Sequence, residues 1–374
     1  MNGSGKHNNW SICGPDGKNW LTPGDNPHDN AKFLVMIGAL IKAVDTHADL
    51  LRAAVATAGN DHRLGANEAP PAIISIFLGD QLLDVFEQIE KGAARSSKKG
   101  GVIEIGVSSL PPLPRDATDR NRTSPFAFTG NKFEFRAVGS NQSCAGPCVV
   151  LNTIVAESLD EICRKIESDV AAGGDFNEAV QGVLCGIIKK HKRVLFEGDN
   201  YSEAWHKEAR RRGLPNLKTT PEALKPLMTP KALALFKKYG VFSERELHSR
   251  FEVYQHTYDR TVELEASCML TMARTMILPA ALAYQRDLAD TVRSVKAAAG
   301  GRGVAGKTVL KDVVAGTDRL LKGINALDAA VRKDVPALML DAMGKVRAAA
   351  DGLEGSVPDD LWPLPSYAEM MFMM

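Results

Sequence analysis

The spacing of apolar residues predicts both helices and strands in the first 150 residues. Apolar positions recur every three or four residues over residues 31–58 and again over residues 70–91, which predicts two amphipathic helices. Apolar and polar positions alternate over residues 102–107 and 131–138, which predicts two strands. This part of the chain is therefore expected to combine a sheet with helices.

From about residue 152 the pattern becomes helical. Helical spacing covers residues 152–172 and 176–191, while the basic, proline-containing residues 200–220 are expected to form a connector. Ser243 and Glu246 form a capping box, which predicts the start of a helix that runs to about residue 299. Most of the second half is therefore expected to be helical.

A second long helix is predicted after a turn at residues 300–306. Four apolar residues step by four, three and four positions, which is the spacing of a packed seam: Leu320, Ile324, Leu327 and Val331. Pro279 is expected to kink the first long helix, and Pro336 to restart the second, which runs to about residue 353. The apolar tail, residues 362–374, is expected to dock on the protein itself or on a neighbouring subunit.

These elements predict an α+β fold in two parts. The first part, residues 1–220, is expected to be a domain that combines a sheet with helices. The second part, residues 221–374, is expected to be an all-α bundle or hairpin.

Composition and charge bear on the possible partners and on the cellular location of the protein. The chain has 374 residues, 44% of them hydrophobic, with 46 Lys and Arg against 45 Asp and Glu. This near-neutral balance gives no indication of nucleic acid or an anionic membrane as a partner. No apolar run approaches 18 residues, and the N-terminus lacks the apolar stretch of a signal peptide. Six scattered cysteines are expected to be reduced thiols, so the predicted location is the cytoplasm.

Two polar segments of the first half carry residues that suit anion or metal chemistry. Residues 2–7 read NGSGKH, in which glycines let backbone N–H groups approach an anion and His7 can ligate a metal. Read alone, a glycine-rich turn with a surface histidine is the better explanation. Residues 60–71 read NDHRLGANEAPP, with Arg63 to pair a carboxylate and Glu68 to accept a proton. A capping loop with a surface ion pair explains this segment equally well.

Two further segments combine cations with a carboxylate. Residues 120–126 read RNRTSPF, and two arginines on one face of an extended segment suit phosphate oxygens, although solvated charges are the alternative. Residues 132–136 read KFEFR, so Glu134 lies between two cations on one face while the phenylalanines face the other side. Such a face can hold Mg²⁺ through Glu134, and the alternative is the charged outer face of an edge strand.

Taken in order, the four segments resemble the corresponding segments of the glutamine synthetase family. Their residues are similar to those of its long type III branch in particular. The first part of the chain would then be a partial glutamine synthetase catalytic domain, with an antiparallel sheet and helices. The resemblance implies that Asn2 and Gly3 line the glutamate site, that Arg63 holds the glutamate carboxylate and that Arg136 contacts substrate.

The resemblance also implies roles in catalysis and metal binding. Glu68 would lie on a flap that closes the glutamate site and help to deprotonate ammonium, and Arg122 would stabilise the transferring phosphoryl group. His7 and Glu134 would be metal ligands.

Ser11 and Lys132 would lie near the nucleotide. The chain departs from the familiar bacterial pattern at three positions, Asn9, Ala127 and Lys132, where His, Arg and Arg are common. These departures weaken the nucleotide contacts that the resemblance implies.

The implied reaction is ATP-dependent ligation of ammonia to glutamate through γ-glutamyl phosphate, with ATP and Mg²⁺ or Mn²⁺ as cofactors, in a homo-oligomeric ring. In the family, further glutamate ligands precede the NGSGKH segment, so the chain is expected to be truncated, with an incomplete metal site and little activity alone. The alternative is a non-catalytic assembly or regulatory fragment that docks on a full-length synthetase. A nucleotide-binding P-loop at residues 301–308 is a weak third hypothesis. A true P-loop follows a strand, whereas the residues before this segment are predicted to form a helix.

Overall fold

The computed structural model describes residues 5–66, 69–92, 102–103, 113–114, 123–299 and 305–372. The chain forms two compact units, Met1–Gln255 and His256–Met374. The α+β class is confirmed, since the first unit holds a sheet with helices and the described elements of the second are helices. The domain boundary expected between residues 220 and 221 stays a prediction.

The strands of the first unit form one four-stranded sheet and a separate pair. They are β1 (Gly5–Trp10), β2 (Ile76–Phe77), β3 (Val102–Ile103), β4 (Leu113–Pro114), β5 (Phe126–Phe128) and β6 (Phe133–Gly139). The sheet has the order β1-β6-β5-β2, and β3 pairs with β4. The β1–β6 and β5–β6 pairs are antiparallel as predicted, but β2 runs parallel to β5.

The predicted strand over residues 131–138 is confirmed in β6, which is buried on both faces. Phe126, Phe133 and Phe135 are completely buried, and the rings of Phe126 and Phe133 stack at 4.6 Å. Only residues 102–103 of the other predicted strand are described.

The helices of the first unit pack around one long buried helix. They are α1 (Ala31–Ala53), α2 (Ala58–Arg63), α3 (Asp80–Glu90), α4 (Ala145–Ala171), α5 (Phe176–His191), α6 (Glu203–Arg211), α7 (Thr220–Leu224) and α8 (Pro230–Lys238). Most residues of α1 are buried, and α4 and α5 pack against it. The predicted helix over residues 176–191 is confirmed in full, and that over 152–172 begins earlier, at Ala145.

Three predictions for this unit were wrong in part. The helix predicted over residues 31–58 ends at Ala53, because Thr57 caps a new helix by accepting a hydrogen bond from Asn60 N. The helix predicted over residues 70–91 covers only Asp80–Glu90, since the residues before it supply β2 and turn at Gly79 with a φ of 84°. The predicted connector over residues 200–220 contains α6, whose buried Trp205 stacks on Phe196 at 3.7 Å.

The capping box at Ser243 is confirmed. Ser243 N donates to Glu246 Oε2 at 2.8 Å, Glu246 N donates to Ser243 Oγ at 3.3 Å, and α9 (Glu244–Met272) begins at the next residue. A π-helical turn, Ala273–Ile277, follows just before the predicted kink at Pro279. The extra residue of such a turn interrupts the regular hydrogen bonding of the helix.

The helical stretch Glu244–Ala298 is long and apolar enough to cross a membrane, judged by length and composition only. The sequence pattern did not predict a possible membrane span here, because polar residues interrupt the apolar ones. A single such helix does not establish a membrane span, so the absence of a membrane partner stays a prediction.

The remaining helices belong to the second unit: α10 (Leu278–Ala298), α11 (Ala305–Lys333), α12 (Pro336–Glu354) and α13 (Tyr367–Met371). The predicted seam is confirmed at Leu320, Ile324 and Leu327, which are buried, whereas Val331 is partly exposed. Close packing explains Gly323, because a Cβ there would lie 3.2 Å from a methyl group of Val346 on α12. Half of the P-loop-like segment, residues 301–304, lies outside the described residues.

Candidate active site

Two strands bring His7 and Glu134 together. In β1 and β6, Asn9 pairs with Glu134, and an irregularity between Lys6 and Asn8 shifts the register at His7. His7 Nδ1 lies 3.4 Å from Glu134 Oε1. The side chain of Glu134 is 8% exposed, whereas that of His7 is 57% exposed. The pair therefore joins a buried carboxylate to an imidazole that solvent can reach.

Arg63 lies at the end of α2 and reaches across to the same two strands. Its Nη2 donates to the backbone oxygen of Arg136 at 3.0 Å, and its Nη1 donates to Asn60 Oδ1 at 3.2 Å. The guanidinium also packs on Gly5, where a Cβ would lie 1.8 Å from Nη2. Burial lowers the pKa of Arg63, and the nearby Tyr201 raises it by a smaller amount. Glycine at position 5 is therefore required for this close approach.

Arg136 donates hydrogen bonds to the residues that follow Arg122, the predicted phosphate-binding arginine. Its Nη2 donates to Thr123 Oγ1 at 2.7 Å, to Thr123 O at 3.0 Å and to Ser124 O at 2.6 Å. Because Thr123 directly follows Arg122 in the sequence, Arg136 anchors the middle of the RNRTSPF segment to β6.

Ser11 and Lys132 lie at one end of the β1–β6 pair. Trp10 pairs with Phe133, so the residue after β1 and the residue before β6 are neighbours across the sheet. The backbone oxygen of Lys132 accepts hydrogen bonds from Thr129 N at 2.8 Å and from Thr129 Oγ1 at 3.3 Å. The two predicted nucleotide-site residues therefore share a sheet end.

Four predicted site residues fall outside the described part of the chain: Asn2, Gly3, Glu68 and Arg122. The other six are described, and all lie on β1, on β6, at their ends or, for Arg63, against them. Sequence reasoning gave no role to Asn60 or Tyr201, although both bear on Arg63. No local pattern could show this, because Asn60 also bonds to Ala137, 77 positions away.

The donors of His7 and Glu134 fit part of a divalent metal site. One carboxylate and one imidazole suit Mg²⁺ or Mn²⁺, which commonly take one or two protein ligands and complete the shell with water and phosphate oxygens. Among residues 5–66, 69–92, 102–103, 113–114, 123–299 and 305–372, no cluster of three or more His, Cys, Asp or Glu side chains could hold a metal.

Comparisons with known proteins identify several similar sequences. Residues 179–296 match the family model of the glutamine synthetase C-terminal domain. The whole chain is 43% identical to a type-3 glutamine synthetase of Dictyostelium discoideum and 36% identical to a glutamine synthetase of Bacteroides fragilis, covering 53% and 54% of those proteins. It is also 38% identical to a glutamine synthetase of Butyrivibrio fibrisolvens and covers 54% of it.

The chain therefore resembles glutamine synthetases along its whole length. The relative with 43% identity is named a type-3 glutamine synthetase, and the chain spans about half the length of the curated relatives that it matches.

Proposed function

We propose that this chain carries part of the active site of a ligase that joins ammonia to glutamate at the expense of ATP. One observation supports this most directly: Arg63, Arg136 and the His7–Glu134 pair come from three separate motifs and converge on β1 and β6. Such a surface combines cations for carboxylate and phosphate oxygens with a place for a divalent metal.

Arg63 would bind the carboxylate of glutamate that does not react. Its position is fixed by β6 and Gly5, and a guanidinium can hold a carboxylate with two parallel hydrogen bonds. A substrate held in this way presents its other carboxylate at a set place, which reduces the entropy lost in reaching the transition state.

His7 and Glu134 would hold Mg²⁺ or Mn²⁺ together with ATP phosphates, and the bound metal would offset the negative charge of those phosphates. Ser11 and Lys132 would contact the nucleotide from the end of the β1–β6 pair. Arg136 and, by resemblance, Arg122 would stabilise the negative charge that the phosphoryl group carries during transfer.

The reaction proceeds through γ-glutamyl phosphate. An oxygen of the glutamate γ-carboxylate attacks the γ-phosphorus of ATP, and ADP leaves. Ammonia then attacks the acyl carbon, and phosphate leaves with the carboxylate oxygen. By resemblance, Glu68 takes a proton from ammonium and belongs to a flap that keeps water from hydrolysing the acyl phosphate.

The proposed setting is a homo-oligomeric ring in the cytoplasm, with glutamate, ammonium and ATP as small-molecule partners. The near-neutral charge of the chain supports partners other than nucleic acid or a membrane surface. A non-catalytic assembly or regulatory role is the second candidate, because His7 and Glu134 supply only two metal ligands within the described ranges.

Binding of Mn²⁺, followed by electron paramagnetic resonance in the presence of ATP, tests the metal assignment. Glu134→Gln is expected to weaken Mn²⁺ binding about tenfold or more, because the amide removes the negative charge of the buried ligand. Glu87→Gln, on the exposed side of α3, is the matched control and should leave binding unchanged. Equal Mn²⁺ affinity for the Glu134→Gln variant and the unaltered protein would contradict the assignment.

A further inference from the structure

The side chain of Asn60 is buried beside Arg63, and both ends of its amide are used. Asn60 is 2% exposed. Its Oδ1 accepts the hydrogen bond from Arg63 Nη1 at 3.2 Å. Its Nδ2 donates to Val55 O at 2.7 Å and to Ala137 O at 2.9 Å. One amide therefore connects the guanidinium to the turn before α2 and to β6.

Asn60 and Arg63 bind consecutive carbonyl groups of the same strand. Arg63 Nη2 bonds to the oxygen of residue 136, and Asn60 Nδ2 bonds to the oxygen of residue 137. Because the two side chains also bond to each other, they form a closed set of hydrogen bonds on the backbone of β6. Gly5 closes the other side of the guanidinium. This arrangement fixes the plane as well as the place of the guanidinium.

Asparagine suits this position for a chemical reason. The site needs one acceptor for an arginine N–H and a donor group for two carbonyl oxygens, and a primary amide offers both in a short side chain. Aspartate would keep the acceptor but place a carboxylate against the two carbonyl oxygens. Alanine would leave those buried groups without this partner.

We propose that Asn60 is a positioning residue, which holds the Arg63 guanidinium where it receives the non-reacting carboxylate of glutamate. This inference rests on the proposed ligase function. It assigns to Asn60 part of the selectivity for a substrate with that carboxylate, although Asn60 itself does not touch substrate.

Steady-state kinetics of the protein in its native assembly test this inference. Asn60→Ala is expected to raise the KM for glutamate about tenfold or more, because a misplaced guanidinium loses its paired hydrogen bonds to the carboxylate. The KM for ATP should change less than about twofold, since the proposed function gives Arg63 a role in binding glutamate and not ATP. Asn216→Ala, at an exposed position, is the control and should leave both values unchanged.

Discrimination between two substrates is a second measurement. It should not change if Asn60 has only a structural role. 4-Aminobutyrate has the reacting carboxylate of glutamate but lacks the other one. The ratio of kcat/KM for glutamate to that for 4-aminobutyrate should fall about tenfold in Asn60→Ala, because only glutamate uses Arg63. An unchanged ratio would overturn the inference.

A double-mutant cycle with Arg63→Lys shows whether Asn60 acts through Arg63. In the Arg63→Lys background, Asn60→Ala should change the KM for glutamate less than about twofold, because the planar group that Asn60 holds is gone. Independent, multiplying effects would overturn the inference. If Asn60→Ala does not fold, the isosteric Asn60→Asp takes its place in the cycle.

The two proposals fail in different ways. A protein without ATP-dependent turnover of glutamate would overturn the proposed function and this inference with it. An active protein in which Asn60→Ala keeps the KM for glutamate would overturn the inference alone.

Discussion

Glu197 is a half-buried carboxyl group next to the start of α3, and it lies outside the four motifs in the sequence. Its Oε1 and Oε2 accept hydrogen bonds from Leu78 N and Gly79 N, each at 2.9 Å. Burial raises the pKa of Glu197 to about 7, with a smaller contribution from Asp80, while the two backbone hydrogen bonds act in the opposite direction. The folded protein therefore binds a proton here at pH values where the unfolded chain has released it.

This raised pKa predicts how stability changes with pH. Between about pH 4.5 and pH 7 the folded state holds more protons than the unfolded state at this residue, so the contribution of Glu197 to stability falls as the pH rises. The loss is at most about 3 kcal/mol, and it is complete above pH 7. Glu197→Gln removes it, so the variant should gain stability relative to the unaltered protein as the pH rises.

Urea unfolding at pH 5 and pH 7.5 measures this difference. Glu87→Gln, at an exposed position on α3, should show no such trend. The account of Glu197 fails if the stability difference between Glu197→Gln and the unaltered protein is the same at both pH values.

The site residues differ in how far the sequence could predict them. The alternation in KFEFR predicted that Glu134 would be backed by buried phenylalanines, and both are buried. The contact between His7 and Glu134 could not be derived from local pattern, because it depends on the register of strands separated by more than 120 residues. Only the family resemblance indicated that these residues work together.

At the scale of elements, the short helix α2 is held by an ion pair that joins it to two other parts of the first unit. Arg52 of α1 donates from Nη2 to Asp61 Oδ1 at 2.8 Å and from Nε to Leu217 O at 2.8 Å. Asp61 also accepts hydrogen bonds from Thr220 N at 2.5 Å and Thr220 Oγ1 at 2.9 Å. Burial opposes both charges, since it raises the pKa of Asp61 and lowers the pKa of Arg52.

Removing one member of this pair should therefore lower the free energy of unfolding more than removing both members. Asp61→Ala is expected to lower the free energy of unfolding by about 3–5 kcal/mol, because it leaves the Arg52 charge buried without its carboxylate. Adding Arg52→Met should recover part of this loss, with a coupling energy above about 1 kcal/mol. Chemical denaturation of the two single variants and the double variant gives this coupling energy.

The exposed pair Lys345–Asp341 is the matched control, because both side chains are largely in solvent. Its coupling energy should stay below about 0.5 kcal/mol. A coupling energy for Arg52 and Asp61 as small as that of the control would contradict the assigned role of the buried pair.

The seam between α11 and α12 offers a comparison of two adjacent leucines. Leu320 is completely buried, whereas Leu321 is 44% exposed. Leu320→Ala is expected to lower the free energy of unfolding by about 2–5 kcal/mol, because it leaves a cavity in the seam. Leu321→Ala should change it by less than about 0.5 kcal/mol. Similar effects of the two substitutions in urea unfolding, followed by circular dichroism, would show that the seam is wrongly assigned.

The sequence predicted long helices better than short elements. The step of four, three and four positions identified the buried residues Leu320, Ile324 and Leu327, because a long helix repeats its signal over many turns. The strand Ile76–Phe77 was mistaken for part of a helix, since two buried residues have no periodicity of their own. Its partner is β5, about 50 residues away, so only the tertiary structure defines it.

At the scale of the whole molecule, the match to the family model and the candidate site involve different stretches of sequence. The described site residues lie between residues 7 and 136, whereas the matched C-terminal domain covers residues 179–296. Thr220, within the matched stretch, bonds to Asp61 beside the site, so the two stretches meet in the first unit. The helical matched region therefore helps to support the element that carries Arg63.

The most direct test of the proposed ligase function follows the oxygen atoms of the reaction. Glutamate labelled with ¹⁸O in its γ-carboxylate is supplied with ATP, ammonium and Mg²⁺ to the protein in its native assembly, and the released phosphate is analysed by mass spectrometry. An acyl phosphate passes one carboxylate oxygen to phosphate, so each phosphate should carry one labelled oxygen. Unlabelled phosphate, or no consumption of ATP that depends on glutamate, would contradict the proposed function.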